Sequence, residues 1–139
     1  MSDDAETLFE TVGGMPFFEH LVDAFYAGVV TDAVLRPLYP DDDLAGARRR
    51  LTLFLAQYWG GPQTYTAERG HPMLRARHMP FHVGIPERDH WLIHMGAAVE
   101  RCTEPGEIRD MLIGYFVPAA DHLRNDVGPG IPIGRTPSR

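Results

Sequence analysis

The stretch His71-Pro72-Met73-Leu74-Arg75-Ala76-Arg77-His78-Met79-Pro80-Phe81 constrains this chain most tightly, because two prolines bound whatever helix forms between them. Pro72 can open that helix, where a missing N–H costs nothing, and Pro80 forbids its continuation, so only about two turns fit. Leu74 and His78 lie four apart on one face of it. A single imidazole on so short an element, flanked by apolar Leu74, Met79 and Phe81, suits axial ligation of a haem iron. Arg75 and Arg77 stand beside it, where guanidinium groups can pair with haem propionates. Taken alone, His78 reads more readily as a partly buried structural histidine than as a ligand.

The 139 residues suffice for one domain that buries roughly two thirds of its unfolded surface. A net charge of −6 argues against a nucleic-acid or anionic-membrane partner. The run Arg48-Arg49-Arg50 is too short to overturn that and reads as a solvated helix face. Cys102 stands alone, which excludes an intramolecular disulfide and a Cys-x-x-Cys-His attachment motif, so any haem is held without covalent bonds. Met1 to Glu6 is acidic without an apolar signal core, and no run reaches membrane-spanning length. The expected location is the cytoplasm.

Apolar spacing predicts helices throughout. Leu8, Phe9 and Val12 form a short one ended by Gly13-Gly14, and Pro16 opens a second carrying Phe17, Phe18, Leu21, Val22, Phe25, Tyr26, Val29 and Val30. Asp32 caps a brief turn through Val34 and Leu35 that Pro37 ends, and Leu38-Tyr39-Pro40 makes a corner. Asp41-Asp42-Asp43 supplies caps for a helix bearing Leu44, Ala47, Leu51, Phe54, Leu55 and Tyr58, which stops at Trp59-Gly60-Gly61-Pro62. Residues 62–70 read as a polar loop into the His78 helix. Pro86 opens a helix with Trp91, Leu92, Met95 and Val99. The last helix begins near Pro105, and Pro118 should kink or shorten it. No strand pair with turn chemistry appears. The expectation is an all-α fold of two short and about four longer helices, spanning residues 8–125 between a flexible acidic terminus (1–7) and a flexible Pro/Gly-rich tail (126–139).

Tyr26, Tyr39 and Trp91 are polar donors on otherwise apolar faces. Each alone is ordinary core packing, yet each needs a hydrogen-bond partner once buried. Three donors with few evident protein acceptors suggest that the acceptor is something bound, such as dioxygen on a ferrous haem.

Tyr26 with Tyr39-Pro40-Asp41-Asp42-Asp43-Leu44-Ala45-Gly46-Ala47, Gln57-Tyr58-Trp59-Gly60-Gly61-Pro62, Arg69-Gly70-His71-Pro72, Arg77-His78-Met79-Pro80-Phe81 and Glu87-Arg88-Asp89-His90-Trp91 resembles the group II truncated haemoglobins, over roughly Leu8 to Asn125. The resemblance implies a shortened globin, two helices stacked over two, around a non-covalent b-type haem. It places His78 at the proximal iron ligand and Tyr26, Tyr39 and Trp91 at the distal donors. Ala47 falls where many globins carry a distal histidine, and Leu51 and Phe54 fall on the distal helix face. Arg77, Tyr65 and Arg69 match the propionate region; Leu74, Met79, Phe81 and Met95 complete the expected haem contacts. The implied function is binding of O₂ and other small ligands (CO, NO, sulfide or peroxide), with redox or reactive-gas chemistry such as NO oxidation or peroxide reduction fed by a reductase. Reversible O₂ carriage is the simpler alternative. Nothing in the sequence fixes an oligomeric state.

Two readings from other classes compete. His90 and His94 are spaced for a zinc site, with His71, His78 and His82 nearby, but no His-Glu-x-x-His base is present, and His90, His94, His20 and His122 are expected to be exposed. A cofactor-free helical interaction module would instead be colourless and fold without added ligand.

Overall fold

A computed structural model describes residues 6–39, 43–79 and 81–125, apart from the Arg75 side chain. Among these, the helices are α1 (Leu8–Thr11), α2 (Met15–Val29), α3 (Leu44–Tyr58), α4 (Thr64–Arg69), α5 (Leu74–His78), α6 (Ile85–Cys102) and α7 (Glu107–His122), with a 3₁₀ turn at Arg36–Leu38. The fold is all-helical. Helix α2 packs on both α3 and α6, and α6 packs on α7, so two helix pairs stack on each other.

The spacing of α2 dictates its place at the centre. Phe18, Leu21, Val22, Phe25, Tyr26 and Val29 repeat by three and four, and all six are buried. Leu55 and Ala56 from α3, Met95, Ala98 and Val99 from α6, and Leu112 and Phe116 from α7 close the core around them. At the end of α3, Gly60 takes φ 104°, and a Cβ on Gly61 would stand 2.8 Å from the Ala56 carbonyl. The pair lets the chain turn back beneath α1, where Phe9 N–H bonds the Trp59 carbonyl at 3.0 Å.

Several local expectations change. Residues 62–70 are not a plain loop: Thr64–Arg69 is helical. The Gln57 side chain clamps that turn through Thr66 N–H at 3.0 Å and Thr66 Oγ1 at 2.7 Å. Pro72 precedes the His78 helix rather than opening it, because Met73 is its N-cap in the left-handed region at φ 43°, ψ 50°. Pro80 lies outside the described residues. Pro37 sits inside the 3₁₀ turn, where its fixed φ is tolerated, instead of ending the turn before it. Pro118 does not shorten α7, which continues to His122. Asp43 caps α3 by position only; its carboxylate pairs with Arg50 at 2.6 Å instead, and Asp41 and Asp42 lie outside the described residues. The expected termini 1–7 and 126–139 lie outside them too, except for Glu6 and Thr7; Thr7 is ordered by a reciprocal capping box with Glu10. Among the described residues no helix is long and apolar enough to cross a membrane.

The arginine run is more than a solvated face. Arg48 pairs with Asp23 across to α2 at 3.1 Å, and Arg49 grips Glu68 of α4 with two bonds. His90 and His94 are half-buried rather than exposed, because both rings turn onto Asp32, while His20 and His122 are exposed.

Candidate functional site

Residues of α2 through α7 line a cavity of about 610 Å³, within the range of small-molecule and cofactor sites. It is lined by Tyr26, Tyr39, Ala47, Leu51, Phe54, Tyr65, Arg69, Leu74, Arg77, His78, Phe81 and Trp91. Segments far apart in sequence thus converge on one apolar space. Two expected contacts do not. Met95 is fully buried in the α2–α6 core, one turn beyond Trp91 and on its inward side. Met79 is 59% exposed, because α5 ends at His78 and the chain turns outward.

His78 is oriented by its own helix. Its Nδ1 lies 2.7 Å from the Leu74 carbonyl, an oxygen that can only accept, so Nδ1 carries the proton and the Nε2 lone pair is left for a metal. That tautomer is the one an axial imidazole needs.

The segment after His78 is held from 42 residues further along the chain. Asn125 accepts from Val83 N–H at 2.9 Å, and its amide donates to the Phe81 carbonyl at 2.7 Å and the His78 carbonyl at 3.3 Å. Asn125 N–H also reaches the Val83 carbonyl at 2.9 Å. Asn125→Ala should therefore lower the unfolding free energy by about 1–3 kcal/mol, measured by denaturant titration. Arg77 braces the other flank: it donates to the carbonyls of Pro72 at 2.7 Å, Arg69 at 2.8 Å and His71 at 3.3 Å, and stacks over Tyr65 at 5.9 Å. These bonds turn much of its guanidinium toward the backbone, away from the propionate role expected of it.

The three candidate donors gather on the same cavity as His78. The Tyr26 and Tyr39 rings meet edge to face at a centroid distance of 5.5 Å, and Trp91 lines the cavity with them. Burial, reinforced by Tyr39, pushes Tyr26 well above the usual phenol range. Burial also drives Tyr39 up to about 12. Both stay protonated donors at neutral pH. Phe25 and Phe116 fix the Trp91 ring at centroid distances of 5.2 and 5.7 Å.

Sequence reasoning missed several wall residues. Arg50 faces the cavity with its partner Asp43, and Arg88, anchored to Asp121 at 2.5 Å and Asp89 at 3.0 Å, adds a second cation. Arg50, Arg69, Arg77 and Arg88 line the cavity beside Asp43 and Glu87, an excess of guanidinium over carboxylate groups that fits a ligand carrying carboxylates. Tyr115, Phe116, Ala119 and Leu123 of α7 close the remaining side. The α7 stripe signalled burial, but nothing in it told core from cavity wall.

An imidazole with a free Nε2, an apolar slot, and protonated phenols and an indole lining the same cavity together suit a haem with one exchangeable position. Fold and site define a haem-binding helical protein of the globin class. A model of the family described as Bacterial-like globin matches residues 7–125. The chain is 43% identical over 112 residues to the group 2 truncated hemoglobin YjbI of Bacillus subtilis (strain 168), a match covering 81% of this chain and 84% of that protein. It is similar in structure to a thermostable hemoglobin from the actinobacterium Thermobifida fusca (TM-score 0.84, 50% identity, 87% of this chain and 98% of that one). The group II truncated hemoglobin from Bacillus anthracis is comparably similar (TM-score 0.82, 41% identity, 87% and 98%). The chain belongs to the bacterial-like globin family and, within it, to the group II truncated haemoglobins. Membership implies haem-based ligand binding.

Among the described residues no group of three or more His, Cys, Asp or Glu side chains can hold a metal ion. The paired histidines of the zinc alternative make direct contacts with Asp32 of 2.7 and 2.9 Å instead.

Proposed function

We propose that His78 holds a non-covalent b-type haem and that Tyr39, polarised by Tyr26 and Trp91, hydrogen-bonds O₂ or another small ligand on the opposite side. When bound, the haem supplies an iron with one position open to a diatomic ligand. The observation that carries this is the bond from His78 Nδ1 to the Leu74 carbonyl, which leaves Nε2 free in a cavity that Tyr26, Tyr39 and Trp91 also line. Arg50, Arg69 and Arg88 are assigned to the propionate edge, with Arg77 holding the backbone beside it.

Donation to a partly anionic ligand favours retention, and long retention serves a bulk carrier poorly. We therefore assign the site to redox or reactive-gas chemistry. Its simplest form joins one O₂, one NO and one electron to give nitrate, which requires a one-electron reductase as partner. Tyr39 and Trp91 would orient the ligand, and the phenols, held protonated by burial, would not lose their protons to it.

The test is the ultraviolet–visible spectrum of the purified protein, ferric, then reduced, then exposed to O₂ and CO. A Soret band that shifts with each ligand is the expected result. Absence of a Soret band after haem is supplied would overturn the haem reading. A Trp91→Phe variant with unchanged O₂ release and unchanged NO and peroxide turnover would remove Trp91 from the proposed chemistry.

A further inference from the structure

Asp32 lies three residues beyond the end of α2, and its carboxylate is only 7% exposed. One oxygen, Oδ1, accepts from the backbone N–H groups of Val34 at 2.8 Å and Leu35 at 3.1 Å. The Asp32 carbonyl accepts from Arg36 N–H at 2.8 Å, and the Arg36 guanidinium in turn bonds the Tyr39 carbonyl. This carboxylate therefore starts the turn whose far end delivers Tyr39.

The second oxygen faces a different element. Oδ2 lies 2.7 Å from His94 Nε2 and 2.9 Å from His90 Nδ1, which also stands 3.1 Å from Oδ1; both histidines are on α6, and His90 immediately precedes Trp91. Gly28 makes room for this. A Cβ there would stand 2.2 Å from His94 Nδ1, so a side chain at position 28 would push the ring off the carboxylate. Glycine inside a helix costs about 1 kcal/mol relative to alanine, a cost with a reason here. A carboxylate has roughly four acceptor sites, and two N–H groups and two imidazoles use them.

We propose that Asp32 is a positioning residue: it locks the segment carrying Tyr39 to the helix carrying Trp91, and so sets how the distal trio meets a ligand. The inference rests on the ligand-binding reading above. Asp32 touches no ligand itself and acts through Tyr39 and Trp91. The bond set also fixes two opposite tautomers, because a carboxylate only accepts: His90 is protonated on Nδ1 and His94 on Nε2.

Two measurements test this. Nitrogen-15 NMR of the diamagnetic, CO-saturated ferrous protein should show His90 with its proton on Nδ1 and His94 with its proton on Nε2; any other tautomer pair overturns the clamp. If no haem binds, the same spectrum of the protein as purified still reads the clamp, so failure of the haem reading stays separate. The second measurement is O₂ dissociation by stopped flow. Asp32→Asn keeps an oxygen for the turn but replaces the imidazole acceptor with an NH₂ donor. It should speed release roughly three- to thirtyfold, and change release less than about twofold when Tyr39→Phe is already present. Equal acceleration in both backgrounds, or none in either, overturns the proposal. Gly28→Ala, which displaces His94 from the other side, should repeat the pattern should Asp32→Asn fold poorly.

Discussion

Replacing His78 with alanine should abolish normal haem retention while leaving a chain that is still helical. The reason is local. Among the residues lining the cavity, His78 offers the imidazole nitrogen placed for a metal, and it is placed by a bond within its own five-residue helix. The backbone on either side is held independently, by Asn125 on Phe81 and Val83 and by Arg77 on Arg69 and Pro72. Truncating the imidazole therefore removes the ligand without collapsing the wall. The secondary cost is linkage: a group bound only by the native state stabilises it by about 4 kcal/mol at a thousandfold excess over Kd, and the variant forfeits that term. The expected record is a weak, ligand-insensitive Soret band, a lowered melting temperature and near-normal far-ultraviolet circular dichroism. Added imidazole should restore the band by occupying the vacated space. A variant that binds haem and CO like the parent would show that another residue serves as the axial ligand.

The long helices were legible in the sequence because burial here follows helical period with few interruptions. On α2 the six buried positions, 18, 21, 22, 25, 26 and 29, follow one face of helical period. His78, Tyr26, Tyr39, Trp91 and part of the cavity wall were expected through a resemblance carried by the stretches around Tyr39, Trp59 and His78, and the structure brings those residues to one cavity. What stayed hidden was pairing between distant side chains. His90 and His94 looked like surface residues because their i, i+4 spacing says nothing about a carboxylate 58 and 62 positions earlier. Asp32 was readable as a cap, and it is one, but the same carboxylate also ties to His90 and His94 of α6. Arg50 was hidden in a basic run whose three members turn to three different partners. Asn125 sits where periodicity ends, and a lone polar residue there carries no sign that it closes a loop 42 residues away.

Tyr39→Phe should accelerate O₂ release roughly ten- to a hundredfold, and more than either Tyr26→Phe or Trp91→Phe. A hydrogen bond to a charged or strongly polar acceptor contributes about 1.5–3 kcal/mol, and each 1.4 kcal/mol is tenfold in an equilibrium constant. The ordering follows from how protons are shared. In the arrangement proposed above, Trp91 and Tyr26 give theirs to the Tyr39 oxygen, so the hydrogen that remains for a ligand is Tyr39's own. Accepting two bonds polarises that O–H, and losing one donor should weaken it by only about 10–30%. Removing the Tyr39 hydroxyl removes the bond itself and also orphans two partly buried donors, at a cost of about 1–3 kcal/mol for each left unpaired. Those orphans compete for the ligand, but the indole is wedged between Phe25 and Phe116 and Tyr26 is pinned in the α2 core beneath the Arg48 guanidinium at 5.6 Å, so neither can move far to replace it. Stopped-flow O₂ dissociation on the three single variants decides the matter. If Tyr26→Phe or Trp91→Phe releases ligand faster than Tyr39→Phe, the trio rearranges on binding and the donor to the ligand is a different member of it.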